Sequence, residues 1–133
     1  MNQNRYTKAE LPFAEDGILS DIRATGYFIL VKPYVRPKDM DDFEIPESAR
    51  FEDGHHSLIC EVVDIGPQAY TDEKVCGGSA WCQIGDWVAI ARATGIRIEN
   101  KDGVLFRLVN EDHIMAIIKD PANWQIRVKH TKF

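Results

Sequence analysis

Tyr27-Phe28-Ile29-Leu30-Val31-Lys32, followed by Pro33, is the stretch on which the fold turns. Its β-branched and aromatic side chains favour extended chain, and Pro33 ends the run because proline has no N–H to give to a sheet ladder. The density of apolar residues predicts burial on both faces of this strand. Working outward, Leu58 to Ile65 is read as the next strand, stopped by Gly66-Pro67. Ile84-Gly85-Asp86 introduces another over Trp87 to Ala91. A short alternating piece, Ile96 to Glu99, is joined by Asn100-Lys101-Asp102-Gly103 to a partner over Val104 to Val109, because an Asp-Gly pair favours the positive φ of a hairpin turn. Asn110 is placed to cap one helical turn, with Glu111 and Asp112 favoured by its exposed N–H groups, before Met115 to Ile118 extends as a last core strand. Trp124, Ile126 and Val128 alternate with Gln125, Arg127 and Lys129, which predicts an edge strand over Trp124 to Phe133.

These pieces make about six short strands and no amphipathic helix of ten residues. An all-β fold follows, a small closed or nearly closed barrel before a sandwich, because closure removes the edges that an open sheet would expose. The 133 residues suit one domain, and 44% hydrophobic with 28% charged residues suit a soluble globular chain with a real core. No apolar run approaches the roughly 20 residues that cross a bilayer, and Met1 to Glu10 lacks the basic-then-apolar order of a secretion signal. A net charge of −5 argues against generic affinity for nucleic acid, and Arg127, Lys129 and Lys132 are read as a solvated tail. The three cysteines cannot all pair within one chain. Cys76 and Cys82 are too far apart for a CxxC knuckle, which points to structural thiols in a reducing cytosol.

Residues 33–57 are the most unusual stretch. Pro33, Pro37, Pro46 and Gly54 are mixed with Asp39, Asp41, Asp42, Glu44, Glu47, Glu52 and Asp53. A connection this long is functional more often than incidental. Within it Phe43 and Ile45 flank Glu44, and Pro46 restricts the unbound chain, so Phe43-Glu44-Ile45-Pro46 offers anchors for a partner's groove at reduced ordering cost. Chemistry has weaker carriers. His55-His56 point to opposite sides of an extended chain and share an ion only through a sharp turn. His113 lacks a placed nucleophile, the carboxylates cluster where positioning is poor, and Gly77-Gly78-Ser79 is no phosphate loop. Tyr70, Trp81 and Trp87 lack the basic track of a single-strand binder, so Trp87 is assigned to the core and Trp81 to the base of the 68–83 excursion, its Nε1 on a backbone acceptor. The reading is noncatalytic, with no cofactor and no metal.

Several of these stretches, in order, are similar to the co-chaperonin (GroES-like, chaperonin lid) family, in the manner of a bacteriophage-encoded member. They are Tyr27 to Lys32, Ile45-Pro46-Glu47-Ser48-Ala49, Glu61-Val62-Val63-Asp64-Ile65-Gly66, Gln83-Ile84-Gly85-Asp86-Trp87-Val88, Gly95, and Asn110 to Ile118. The resemblance covers about residues 24–119. It implies an irregular GroES-like β-barrel over 23–119, with a mobile loop at 33–57, a roof-like hairpin at 67–81, an N-terminal arm at 1–22 and a C-terminal extension at 120–133. It further implies a homo-oligomeric ring, a heptamer, which caps a chaperonin in the host cytoplasm, the ATPase being the partner's. Carried over by position, Phe43, Glu44 and Ile45 are the docking tripeptide. The chain departs from the pattern in that Phe43 stands for an aliphatic residue, Glu44 is charged, and Asp41-Asp42 replaces a glycine pair. The two extensions open a rival reading, a phage capsid cement or decoration subunit in the virion, seated on the major capsid protein by repeated contact.

Overall fold

The structure, a computed structural model, describes residues 13–35 and 58–126. Its elements are β1 (Phe28–Pro33), β2 (Ile59–Ile65), the one-turn helix α1 (Glu73–Cys76), β3 (Trp87–Ile90), β4 (Ile96–Glu99), β5 (Leu105–Asn110) and β6 (Ile114–Ile118). Short 3-10 turns lie at Ile18–Ser20, Glu111–His113 and Pro121–Asn123. The strands form one six-stranded antiparallel sheet in the order β4-β5-β1-β2-β3-β6. The chain is therefore mostly β, and the strand positions expected from β1 to β5 hold within two residues at each end.

The connections force this sheet to curl. β5 and β6 stand four places apart in the strand order, which in a flat sheet is roughly 19 Å at about 4.8 Å per strand. Only Glu111–His113 separates Asn110 from Ile114, and a 3-10 link of that length covers about 8 Å at ~2.0 Å per residue. The two flanks must approach each other. Ala91 N–H donates to His113 O at 2.9 Å, which ties the end of β3 to that same link. The expected closure into a barrel is not made by a ladder, however. β4 and β6 are the two ends of the sheet and do not pair with each other among the described residues.

Both faces of the curled sheet are covered. On the inner face Ile29, Val31, Cys60, Val62, Val88, Ile90, Val109 and Ile114 meet Tyr70, Cys76 and Cys82. On the outer face Leu30, Phe106 and Ala24 pack with Leu19, Ile22, Ile98 and Leu108. Ile29, Leu30 and Val31 are each 0% exposed, so the expected two-sided burial holds for the middle of the run, while Tyr27 and Phe28 before it are exposed at 47% and 42%. Each such side chain contributes about 1.5–3 kcal/mol when fully buried. Residues 13–22 of the N-terminal arm, with Arg23 and Ala24 after them, thus cover the outer face.

A bulge decides which polar residue joins this outer layer. Leu30 pairs with Asp64 while Val31 pairs with Val62, so Val63 is the extra residue on β2. The period of two is broken there, and Asp64 leaves the inner face to which Val62 belongs for the face of Leu30.

Three expectations are corrected. The last strand is not a core strand: only Ile114 of β6 is buried, Met115 is 70% exposed and Ile117 is 53% exposed. Met115 is itself the extra residue of a second bulge, since Ala89 pairs with Ala116 and Ile90 with Ile114. The roof-like segment 67–81 holds no hairpin. It contains α1, started by Asp72, which accepts from Lys74 N–H at 3.0 Å, and ended by Gly77 at φ 78°. The Asp72 cap and the left-handed Gly77 fix a helical turn in so short a segment. Finally, Trp124 to Ile126 is not a strand but irregular chain after the turn at Pro121–Asn123; Asp120 caps that turn by accepting from Ala122 N–H at 3.1 Å.

Candidate functional site

Phe43, Glu44, Ile45 and Pro46 lie outside the described residues, as do His55 and His56. What the structure gives is the platform from which their segment departs. Antiparallel pairing of β1 with β2 puts Pro33 opposite Cys60. The ladder continues beyond Pro33, where Tyr34 N–H donates to Ile59 O at 2.8 Å. On the other side of β2, Ile90 N–H donates to Leu58 O at 2.8 Å. The Tyr34 ring stands edge-on to Trp87, with centroids 5.3 Å apart and planes at 82°, an arrangement favoured by the quadrupoles of the two rings. Both rings are half-buried. Beneath them Cys60 is 0% exposed, and burial pushes its thiol up to about 12, so it is neutral at physiological pH. The segment 36–57 therefore begins and ends on three hydrogen-bonded strands with an aromatic clamp.

The opposite end of β1 and β2 is built differently. Gly66 is packed where a Cβ would stand 2.3 Å from Gly26 O, 2.7 Å from Thr25 O and 2.9 Å from Phe28 O. Tyr70 has φ 63°, unusual for a residue with a Cβ, and is held there by Glu111. Its N–H donates to Glu111 Oε1 at 2.6 Å and its hydroxyl donates to Glu111 O at 2.8 Å. Burial, with the neighbouring Cys82, pushes the Tyr70 hydroxyl well above the ordinary phenol range. Burial and then the Glu111 carboxylate push the Cys76 thiol up as well. Trp81 lies tilted against Tyr70 at 5.7 Å, and its Nε1–H donates to Cys76 O at 3.0 Å, the role expected of it.

The aromatic set is thus divided, with Tyr70 and Trp81 at one end of the sheet and Trp87 with Tyr34 at the other. His113 accepts from Asn110 N–H on Nδ1 at 3.1 Å, a capping role, with Asp112 Oδ1 at 3.8 Å from Nε2. Cys60, Cys76 and Cys82 are free thiols. Among the described residues no three His, Cys, Asp or Glu side chains are grouped to hold a metal, and no helix is long and apolar enough to cross a membrane.

Three polar residues that matter most to the architecture escaped the sequence reading. Asp64, 1% exposed, accepts from Arg23 Nε at 2.9 Å, from Arg23 Nη2 at 3.3 Å and from Ala24 N–H at 2.8 Å, fastening the arm to the sheet. Glu111 was read as an acid at a helical start, although its side chain turns inward. Arg107, 4% exposed, faces the interior; a lone arginine inside the apolar run Leu105 to Val109 was the available signal. No protein-family model matches the chain, and no curated protein matches it.

Proposed function

We propose that the chain is a co-chaperonin of the GroES-like kind, a ring-forming lid that docks on an ATP-driven chaperonin and assists the folding of the protein enclosed beneath it. The observation that carries this reading is the departure of residues 36–57, with Phe43, Glu44, Ile45 and Pro46 among them, from a three-strand platform on which Tyr34 and Trp87 stack edge-on. Ile45 is ten residues beyond Val35, a covalent reach of at most about 35 Å. Two apolar anchors can then meet a partner's groove without rearranging the sheet. The curled six-strand sheet supports the irregular barrel that such lids are built on. The exposed apolar strand β6, with its unpaired outer edge among the described residues, supports a ring in which a second copy lies alongside. Catalysis belongs to the partner ATPase: the chain contributes anchors, symmetry and enclosure, and avidity from several copies offsets the weakness of one.

The test is electron microscopy of the purified protein with a chaperonin and ATP, beside the variants Phe43→Ala and Ile45→Ala. Capped chaperonin ends for the parent chain and bare ends for both variants are expected, with free rings intact throughout. Equal capping by all three proteins would refute the docking role.

A second reading, a phage capsid cement or decoration protein, is favoured by one feature. Trp124 is 59% exposed and Ile126 37% exposed at the start of the C-terminal extension, an apolar surface suited to a neighbouring shell subunit. Purified virions would then contain the protein in fixed ratio to the major capsid protein, and removal of residues 124–133 would release it. Its absence from virions removes this reading.

A further inference from the structure

We propose that Glu111 is a latch for residues 69–82, and that this segment opens as one unit while the six-stranded sheet stays folded. The proposal is independent of chaperonin docking. Both ends of the segment are fixed to the sheet: Gly66 N–H donates to Phe28 O at 2.8 Å, Gly85 N–H to Val62 O at 2.9 Å, and Val62 N–H to Asp86 O at 2.8 Å. Between these points the attachment is sparse. Residues 71–75 and 77–81 are all exposed, and the buried side chains are Tyr70, Cys76 and Cys82, with Ala69 packed beside them.

Among the described residues, the hydrogen bonds that join 69–82 to chain beyond 66–86 all end on Glu111. Its Oε1 accepts from Tyr70 N–H at 2.6 Å, its main-chain O accepts from the Tyr70 hydroxyl at 2.8 Å, and its carboxylate accepts from the Cys76 thiol. Cys82 is joined to the same group through Tyr70, whose hydroxyl oxygen lies 3.7 Å from its Sγ. Two features favour collective release. Tyr70 has φ 63°, and a residue with a Cβ relaxes out of that region once the bonds that hold it break. The bonds of α1, Cys76 N–H to Asp72 O and Gly77 N–H to Glu73 O, both at 2.9 Å, lie within the segment and draw no support from the sheet. Few buried contacts and exposed main-chain bonds mark the part of a fold that opens first. Opening uncovers Cys76, Cys82 and the inner layer beneath Tyr70 without parting β1 from β2. Cys60, opposite Pro33 and Val88, belongs to the sheet itself and stays covered.

Native-state hydrogen exchange of the full-length chain across low urea concentrations tests this. The amides of Tyr70, Cys76 and Gly77 are expected to share one opening reaction, about tenfold or more frequent than that of the β1 amides and with weaker urea dependence, because it exposes less surface. In Glu111→Gln the donors from Tyr70 and Cys76 meet a neutral acceptor, and the shared opening becomes about tenfold more frequent. Iodoacetamide modifies Cys76 and Cys82 before Cys60 in the folded chain. Exchange of the segment and of β1 at one rate with one urea dependence overturns the separate unit, as does equal labelling of the three thiols. An opening frequency that Glu111→Gln leaves unchanged overturns the latch. If Glu111→Gln does not fold, Tyr70→Phe, which removes the hydroxyl bond alone, takes its place, with a rise expected and no change overturning the latch.

Discussion

The two ends of the β1–β2 pair are built from different forces. At the Gly66 end the contacts are polar, directional and satisfied: Asp64 takes three hydrogen bonds from Arg23 and Ala24, and Glu111 holds Tyr70 by side chain and main chain together. At the Pro33 end the contacts among the described residues are a ladder, an edge-on ring pair and apolar burial, and the buried Arg107 has no hydrogen-bond partner for Nε. Directional bonds fix a single arrangement, since an unmade one leaves a buried group stranded. Ring contacts and apolar burial tolerate adjustment. The first end is built to stay as it is, and the second suits a place from which a long segment departs.

The largest effect is expected from Gly66→Ala. All three atoms that a new Cβ would meet are backbone oxygens, the nearest at 2.3 Å, so no side chain can turn aside to make room. A loss of about 3 kcal/mol or more is expected, at the upper limit of overpacking. Urea titration followed by tryptophan fluorescence measures it. A parent-like midpoint would show that the Gly66 end yields more readily than its hydrogen bonds suggest.

Asp64→Ala comes next. It removes the two hydrogen bonds that Arg23 gives to the carboxylate and leaves the Ala24 N–H without its acceptor. Removing one member of a buried ion pair costs about 3–5 kcal/mol, and the partial exposure of Arg23 places this case near 3. Hydrogen exchange sharpens the comparison: amides of 18–24 should lose protection before those of β1 and β2. Uniform loss across the sheet would mean that the arm is integral to the core and not a cover on it.

Much of this contrast could be read in the sequence, and the remainder could not, for a definite reason. Strands such as Tyr27 to Lys32 and the Asn100 to Gly103 turn are written in adjacent residues, because β-branching, proline and Asp-Gly act locally. Arg23 and Asp64 are 41 positions apart and meet only because the Val63 bulge re-aims the carboxylate. No strict alternation could reveal that. Glu111 was concealed by its neighbours, since Asn110, Glu111 and Asp112 make a helical start whichever way the second side chain turns. Met115 was misplaced for a related reason: an apolar strand reads the same whether it lies in a core or at an edge. Phe43 and Ile45 were legible as unusual chemistry in an acidic stretch, but the docking role proposed for them depends on a partner that no sequence pattern contains.

A smaller effect distinguishes the two ends by pH. The Cys60 thiol is pushed from 9.0 to about 12 by burial at the Pro33 end. Both folded and unfolded chains keep this thiol protonated below about pH 9, so it has no pH effect there. Above that, the unfolded chain releases a proton that the folded chain retains, and stability falls as the pH rises from about 9 toward about 12. The loss from Cys60 alone is on the order of 1.4 kcal/mol at pH 10. Melting curves of the parent and Cys60→Ala at pH 8 and pH 10 isolate it, the variant showing the shallower decline. Parallel declines would mean that Cys60 meets solvent more easily than its 0% exposure indicates.

The smallest effect on stability should come from the residues given the largest role in binding. Changing Phe43 and Ile45 together to alanine removes two large apolar side chains, which in a packed core would cost about 5 kcal/mol or more. If the side chains instead serve a groove on another protein, the cost to this fold is within about 0.5 kcal/mol, as for surface substitutions that touch no structural feature. A melting temperature within about 2 °C of the parent is then expected, beside the loss of chaperonin capping. A fall of 10 °C or more would place these anchors in the protomer's own core and set the Pro33 end beside the Gly66 end as a second internal fastening. The double variant therefore measures, in one melting curve, whether the difference between the two ends is one of function or only of packing.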